Sequence, residues 1–145
     1  MTISLARPFR ASFDANAIAD LRDRISRTRW TDQIPGTTWE YGTDRTYLKE
    51  LCDYWRDGFD FQAAEDRINA FPHFLTEIDG QKLHFYHIRS PEPSAIPLLL
   101  LHGWPGCVAE FFDVFGPLTD PVRYGGQAED AFHVIAPSLP GFAFS

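Results

Sequence analysis

Residues Ile96–Leu101 read Ile-Pro-Leu-Leu-Leu-Leu and run without a polar break into His102-Gly103-Trp104-Pro105-Gly106. A short run that is apolar at successive positions presents hydrophobic side chains to both faces of a sheet, the pattern of a central parallel strand. Phe132–Ala136 is a second such run, stopped by Pro137-Ser138-Leu139-Pro140-Gly141. Between them, Val108–Phe115 alternates as an amphipathic helix does. Two buried strands bracketing a helix form a β–α–β unit, which restricts the chain to the α/β class. In that class the backbone exposed beyond the carboxyl end of a strand is where chemistry is placed. The two Gly/Pro turns are therefore the candidate functional segments.

The first half has a different period. Asp14 or Asn16 can cap a helix carrying Ile18, Leu21 and Ile25 and ending near Trp30. A turn-rich loop spans 32–43. Tyr47, Leu48, Leu51, Tyr54 and Trp55 form the apolar face of a second helix, with Gly58 placed to stop it. A third starts after Asp60, carries Phe61, Ala64 and Ile68, and ends at Phe71-Pro72. From Phe74 the pattern becomes β-like: Phe74–Ile78 and Lys82–Ile88 flank Asp79-Gly80, a hairpin signal. The expected order is three helices, a hairpin, then β–α–β. The composition changes most sharply at Pro72–Leu75, which divides the chain into residues 1–73, helical, and 74–145, sheet-forming.

A chain of 145 residues, 44% hydrophobic and 23% charged, has the makings of a single buried core. Thirteen Phe and four Trp favour clustered aromatic packing and an apolar pocket. The net charge of −7 argues against nucleic acid as a partner, since phosphate binding needs a basic face. Cys52 and Cys107 fit no ligand spacing and read as reduced thiols. No metal site is expected, because His84 and His87 alternate with apolar residues on a strand. Met1–Asp14 holds no apolar run of the kind a signal peptide or membrane anchor requires, so a cytoplasmic location is expected.

The turn His102–Gly106 places backbone N–H groups where a developing negative charge could meet them, aided by the positive end of a helix starting near Cys107. Gly103 allows close approach, and Pro105 fixes the path after Trp104, whose peptide bond to Pro105 is a candidate cis bond. The Trp104 N–H would face the oxyanion and its ring an apolar pocket. An ordinary βα turn with a packing Trp is the competing reading of the same spacing. His102 is read as orienting the turn. His84, His87 and His133 are read as packed or solvent-facing strand residues. Ser138 and Asp113 show no base partner, and Cys107 no paired His, so none receives a catalytic role.

His102-Gly103-Trp104-Pro105 resembles the HGxP oxyanion-hole motif of α/β-hydrolase-fold epoxide hydrolases. Residues 137–145, Pro-Ser-Leu-Pro-Gly-Phe-Ala-Phe-Ser, are similar to the stretch that follows it in the microsomal-type branch. The likeness reaches back through Pro8-Phe9, Leu21-Arg22, Thr28-Arg29-Trp30, Trp39-Glu40-Tyr41-Gly42, Tyr54-Trp55, Asn69-Ala70-Phe71-Pro72, Ile78-Asp79-Gly80 and His84-Phe85. Two positions depart from it. Cys107 stands where a capping Ser is usual, and Ala143 where Gly is usual.

The resemblance implies an N-terminal helical meander followed by the first half of an α/β-hydrolase sheet. It also implies conversion of a small apolar epoxide to a vicinal diol through an Asp ester, serving detoxification, with no metal or organic cofactor. Trp104 would supply the oxyanion N–H, with His102, Gly103, Pro105 and Gly106 supporting the motif. The nucleophile, its His–acid pair and the lid tyrosines lie beyond position 145 in that family. The chain is accordingly expected to be an inactive N-terminal fragment. A non-catalytic interaction module of the same descent is the alternative. The meander contributes to subunit contacts in the family, so a homo-oligomer is an implied arrangement. In hydrolase order Phe132–Ala136 lies between the hairpin and Ile96–Leu101, leaving the latter an open, aggregation-prone edge.

Overall fold

The computed structural model describes residues 4–145, which fall into two compact units. One is Ser12–Glu65; the other combines the residues up to Ala11 with Asp66–Ser145. The expectation for Met1–Asp14 falls partly on residues 1–3, outside the described residues. Among the described residues no helix is long and apolar enough to cross a membrane.

The first unit is helical. Helix α1 (Ala15–Ser26) is capped by Asp14, whose carboxylate accepts from the Asn16 N–H at 2.9 Å. It closes at Ser26 rather than near Trp30. The Arg27 N–H is shared between the Asp23 and Arg24 carbonyls, which tightens and ends the last turn. Helix α2 (Arg45–Asp53) is capped by Asp44, which accepts from the Tyr47 N–H at 2.9 Å. Its continuation, Tyr54–Gly58, widens into a single π-type turn closed by the Phe59 N–H on the Tyr54 carbonyl, and Gly58 ends it as expected. Asp60 then caps α3 (Phe61–Ile68) by accepting from the Ala63 N–H.

The second unit is a five-stranded sheet ordered β1 (Arg7–Pro8), β2 (His73–Ile78), β3 (Gln81–Ile88), β5 (Phe132–Pro137), β4 (Ile96–Leu99). Asp79 and Gly80 both take positive φ, 48° and 83°, so the two-residue turn matches strand twist and pairs Ile78 with Gln81. That register sets every later pair, putting His73 opposite Tyr86 and Leu75 opposite His84. Strand β1, which has no sequence signal of its own, adds Arg7 opposite Leu75. Strand β3 pairs antiparallel with β5, and β4 pairs parallel with β5, as a β–α–β unit requires.

The core holds Tyr86, Ile88, Val108, Phe112, Phe115, Val134 and Ala136, with Phe71 edge-on to Phe115 at 5.1 Å. Two expectations need correction. The segment 108–115 is not one helix: Val108–Phe111 forms a 3₁₀ turn, and α4 (Phe112–Thr119) begins only after it. The Cys107 side chain makes no capping bond, so nothing holds the first turn in α geometry. And Ile96–Leu101 is not buried on both faces. Strand β4 has one neighbour, and Ile96 and Leu99 are 61% and 57% exposed.

Candidate functional site

The carboxyl end of β4 leads into the turn 102–106. His102 is 5% exposed, and its Nε2 accepts the Leu139 N–H at 3.0 Å. A neutral imidazole accepting at Nε2 carries its proton on Nδ1, and that buried Nδ1 has no hydrogen-bond partner among the described residues. The His102 ring also meets Phe142 edge-on at 5.0 Å. His102 thus joins the two strand-end segments singled out by sequence.

Trp104 is 86% exposed and is cis to Pro105. The expected apolar wall around its ring does not form from the described residues, because β4 is an edge and nothing covers that side. Gly103 has open space where a Cβ would be, whereas a Cβ on Gly106 would collide with the Glu110 carboxylate, which folds back over the turn. The helix expected to lend its dipole here begins with a four-residue 3₁₀ turn, so the local N–H groups of Trp104, Gly106 and Cys107, rather than a long aligned helix, set the field at this end.

The second segment, Ser138–Ser145, is bound to β3 through both backbone and side chain. The Ser138 N–H donates to the His84 carbonyl at 2.9 Å, and the His84 N–H donates to Ser145 Oγ at 2.9 Å. Ser145 Oγ in turn donates to the Ser138 carbonyl at 2.6 Å. Ser138 Oγ lies 2.8 Å from His84 Nδ1, and His84 Nε2 lies 3.0 Å from His73 Nδ1. His73 Nε2 is 3.1 Å from Asn69 Oδ1. His84 and Ser138 are fully buried.

Aromatic rings enclose this chain. Tyr86 stacks on His73 at 5.1 Å, Phe9 meets both imidazoles edge-on, and Phe144 meets His84 at 5.2 Å. Burial, with added repulsion from His73 and Lys82, pushes the His84 imidazole down to about 4. Burial, then Arg10, lowers His73 in the same direction. The Tyr86 phenol, pushed up by burial, donates to the Ile68 carbonyl at 2.9 Å.

The reading of Ser138 as lacking a base partner is overturned, since the hairpin register and the end of β5 bring His84 to it. A signal for this did exist. The Asp79-Gly80 turn fixes which hairpin residues face inward, and both histidines are among them. The contact does not make Ser138 a nucleophile, because a fully buried hydroxyl cannot reach a substrate.

The remaining candidates lie apart from the turn. His133 Nδ1 accepts the Ser90 N–H at 3.0 Å, and His87, lowered first by burial, is half-buried. Asp113 pairs with Arg67 at 2.8 Å on the surface. Cys52 and Cys107 are unpaired thiols. Among the described residues no cluster of three or more His, Cys, Asp or Glu could hold a metal. The turn can therefore offer N–H groups to an anion, and His102, its titratable side chain, is buried with Nε2 engaged by Leu139.

Residues 6–111 match the family model described as epoxide hydrolase N terminus. Epoxide hydrolase 1 of Sus scrofa is 42% identical over 143 residues, covering 96% of this chain and 32% of that protein. The crystal structure of juvenile hormone epoxide hydrolase from the silkworm Bombyx mori superposes with a TM-score of 0.84 at 34% identity, covering 97% of this chain and 33% of that one. The Aspergillus niger epoxide hydrolase gives 0.83 at 30% identity, covering 97% and 37%. The chain spans about a third of the length of the relatives it matches.

Proposed function

Because this chain belongs to the epoxide hydrolase N-terminus family and has the α/β-hydrolase fold of its neighbours, we propose that it supplies the oxyanion turn of an epoxide hydrolase. In that reading residues 1–73 are the helical N-terminal segment and 74–145 the start of the hydrolase core. A carboxylate from the remainder of the enzyme opens the epoxide, and the ring oxygen takes a proton from an acid also outside this segment. Water then adds to the resulting ester carbonyl. The Trp104 N–H stabilises the tetrahedral oxyanion, which collapses to release the vicinal diol and restore the carboxylate. His102, Gly103, Pro105 and Gly106 shape the turn.

The observation that carries this reading is the position of 102–106 at the carboxyl end of a parallel strand, with His102 locked onto Leu139. A small apolar epoxide is the proposed substrate, supported by the exposed Trp104 ring beside the turn. A cytoplasmic, detoxifying role is proposed with it, in keeping with two unpaired thiols. The test is diol formation from styrene oxide by the full-length product of the gene. Turnover supports the reading. A folded product that forms no diol would leave the non-catalytic module in its place.

A further inference from the structure

The buried chain Ser138–His84–His73–Asn69 has a fixed direction. Asn69 Nδ2 donates to the Ala11 carbonyl at 2.9 Å while its Oδ1 accepts the Ala11 N–H at 2.8 Å, so the backbone of one residue settles which end of the amide faces His73. An acceptor at Oδ1 requires His73 to donate from Nε2 and, being neutral, to accept at Nδ1. His84 must then donate from Nε2 and accept at Nδ1, which leaves the Ser138 hydroxyl as the donor to His84. Each imidazole nitrogen along the path has one partner and one role, and Asn69 Oδ1 accepts from both Ala11 and His73. Burying these groups costs free energy that an apolar quartet would not incur, unless the network specifies a geometry.

The geometry it specifies is that of the loop after β5. Residues 138–145 have no strand or helix ladder, and Gly141 and Ala143 both take positive φ, 84° and 46°. Their path is held by Ser138 and Ser145 on His84. The next residue along, Leu139, holds His102. We propose that Ser138 and His84 are positioning residues for the oxyanion turn: the relay anchored on Ala11 sets Ser138, Ser138 sets Leu139, and the Leu139 N–H sets His102 at the head of that turn. Only the kinetic consequence rests on the hydrolase reading.

The full-length product is examined first by nitrogen NMR at neutral pH. Both His73 and His84 are expected as the Nε2–H tautomer, and a Nδ1–H form at either residue overturns the relay. Ser138→Ala is then expected to lower kcat for styrene oxide about tenfold with KM changed less than about twofold, because a small misplacement acts on the reacting geometry rather than on binding. It should also speed hydrogen exchange at the Leu139 amide by about tenfold or more. Exchange or kcat left unchanged in a folded variant overturns the proposal. A wild-type protein that forms no diol removes the hydrolase reading, while the tautomers and amide exchange still decide the tie. His84→Asn, which keeps a polar atom near Nδ1 for Ser138, should retain more of kcat than His84→Gln, which keeps one near Nε2 for His73. Equal loss in both overturns the assignment and serves if Ser138→Ala does not fold.

Discussion

The two strand-end segments lie side by side and are built in opposite ways. Residues 102–106 follow an edge strand, expose Trp104, and among the described residues are tied by one side-chain bond, His102 to Leu139. Residues 138–145 follow an interior strand and are fixed by the Ser138 hydroxyl on His84, by the His84 N–H donating to Ser145 Oγ, and by rings on either side of His84. The turn proposed to meet substrate thus gets its order from the neighbouring loop. A reacting backbone N–H must remain accessible and unpaired, so rigidity has to be supplied from beside it.

Acid breaks the ordered side of this comparison most strongly. In the unfolded chain both imidazoles take a proton near 6.5, whereas in the folded protein His84 resists protonation until about 4 and His73 is shifted the same way. The unfolded state therefore binds protons that the folded state does not. Stability is complete above about pH 6.5 and falls as pH drops toward about 4, by on the order of 3 kcal/mol for His84. Urea denaturation at pH 7 and pH 4.5 measures this, and His84→Gln should show a visibly smaller difference.

The open side is tested by Leu99→Lys. With Leu99 more than half exposed on an edge strand, the 145-residue chain is expected to self-associate. The lysine should weaken that association by about tenfold while changing stability by less than about 1 kcal/mol. Light scattering over a concentration series decides it, and a wild-type chain that stays monomeric throughout would contradict the exposed-edge account. The smallest effect belongs to Ala143→Gly. Ala143 sits at φ 46°, where a Cβ is disfavoured. Glycine relieves that strain but adds freedom to the unfolded chain, for a net gain of about 0.5 kcal/mol in thermal denaturation.

Local signals were legible where a few adjacent residues decide the outcome. Asp14, one of two capping candidates, and Asp60, after which the third helix was expected, cap their helices because a carboxylate needs only the next two or three N–H groups; the Asp44 cap of α2 was not singled out. Asp79-Gly80 makes its turn because both residues tolerate positive φ. Chain-wide apolar periodicity also sufficed for the α/β class, and the family resemblance implied that β5 lies between β3 and β4. The ends of elements were harder to read. Helix α1 stops four residues early, and the segment after Cys107 starts as 3₁₀, because those outcomes turn on single hydrogen bonds.

By itself the sequence determined the family, the order of elements and the turn His102–Gly106, since each depends on neighbours along the chain. Only the tertiary structure decided that His84 and His73 are neutral, that Ser138 has an imidazole partner, and that Leu139 holds His102. These depend on bringing Asn69, two strands and the loop after β5 together, across separations of up to about seventy residues, in an interior where water cannot satisfy the polar groups instead.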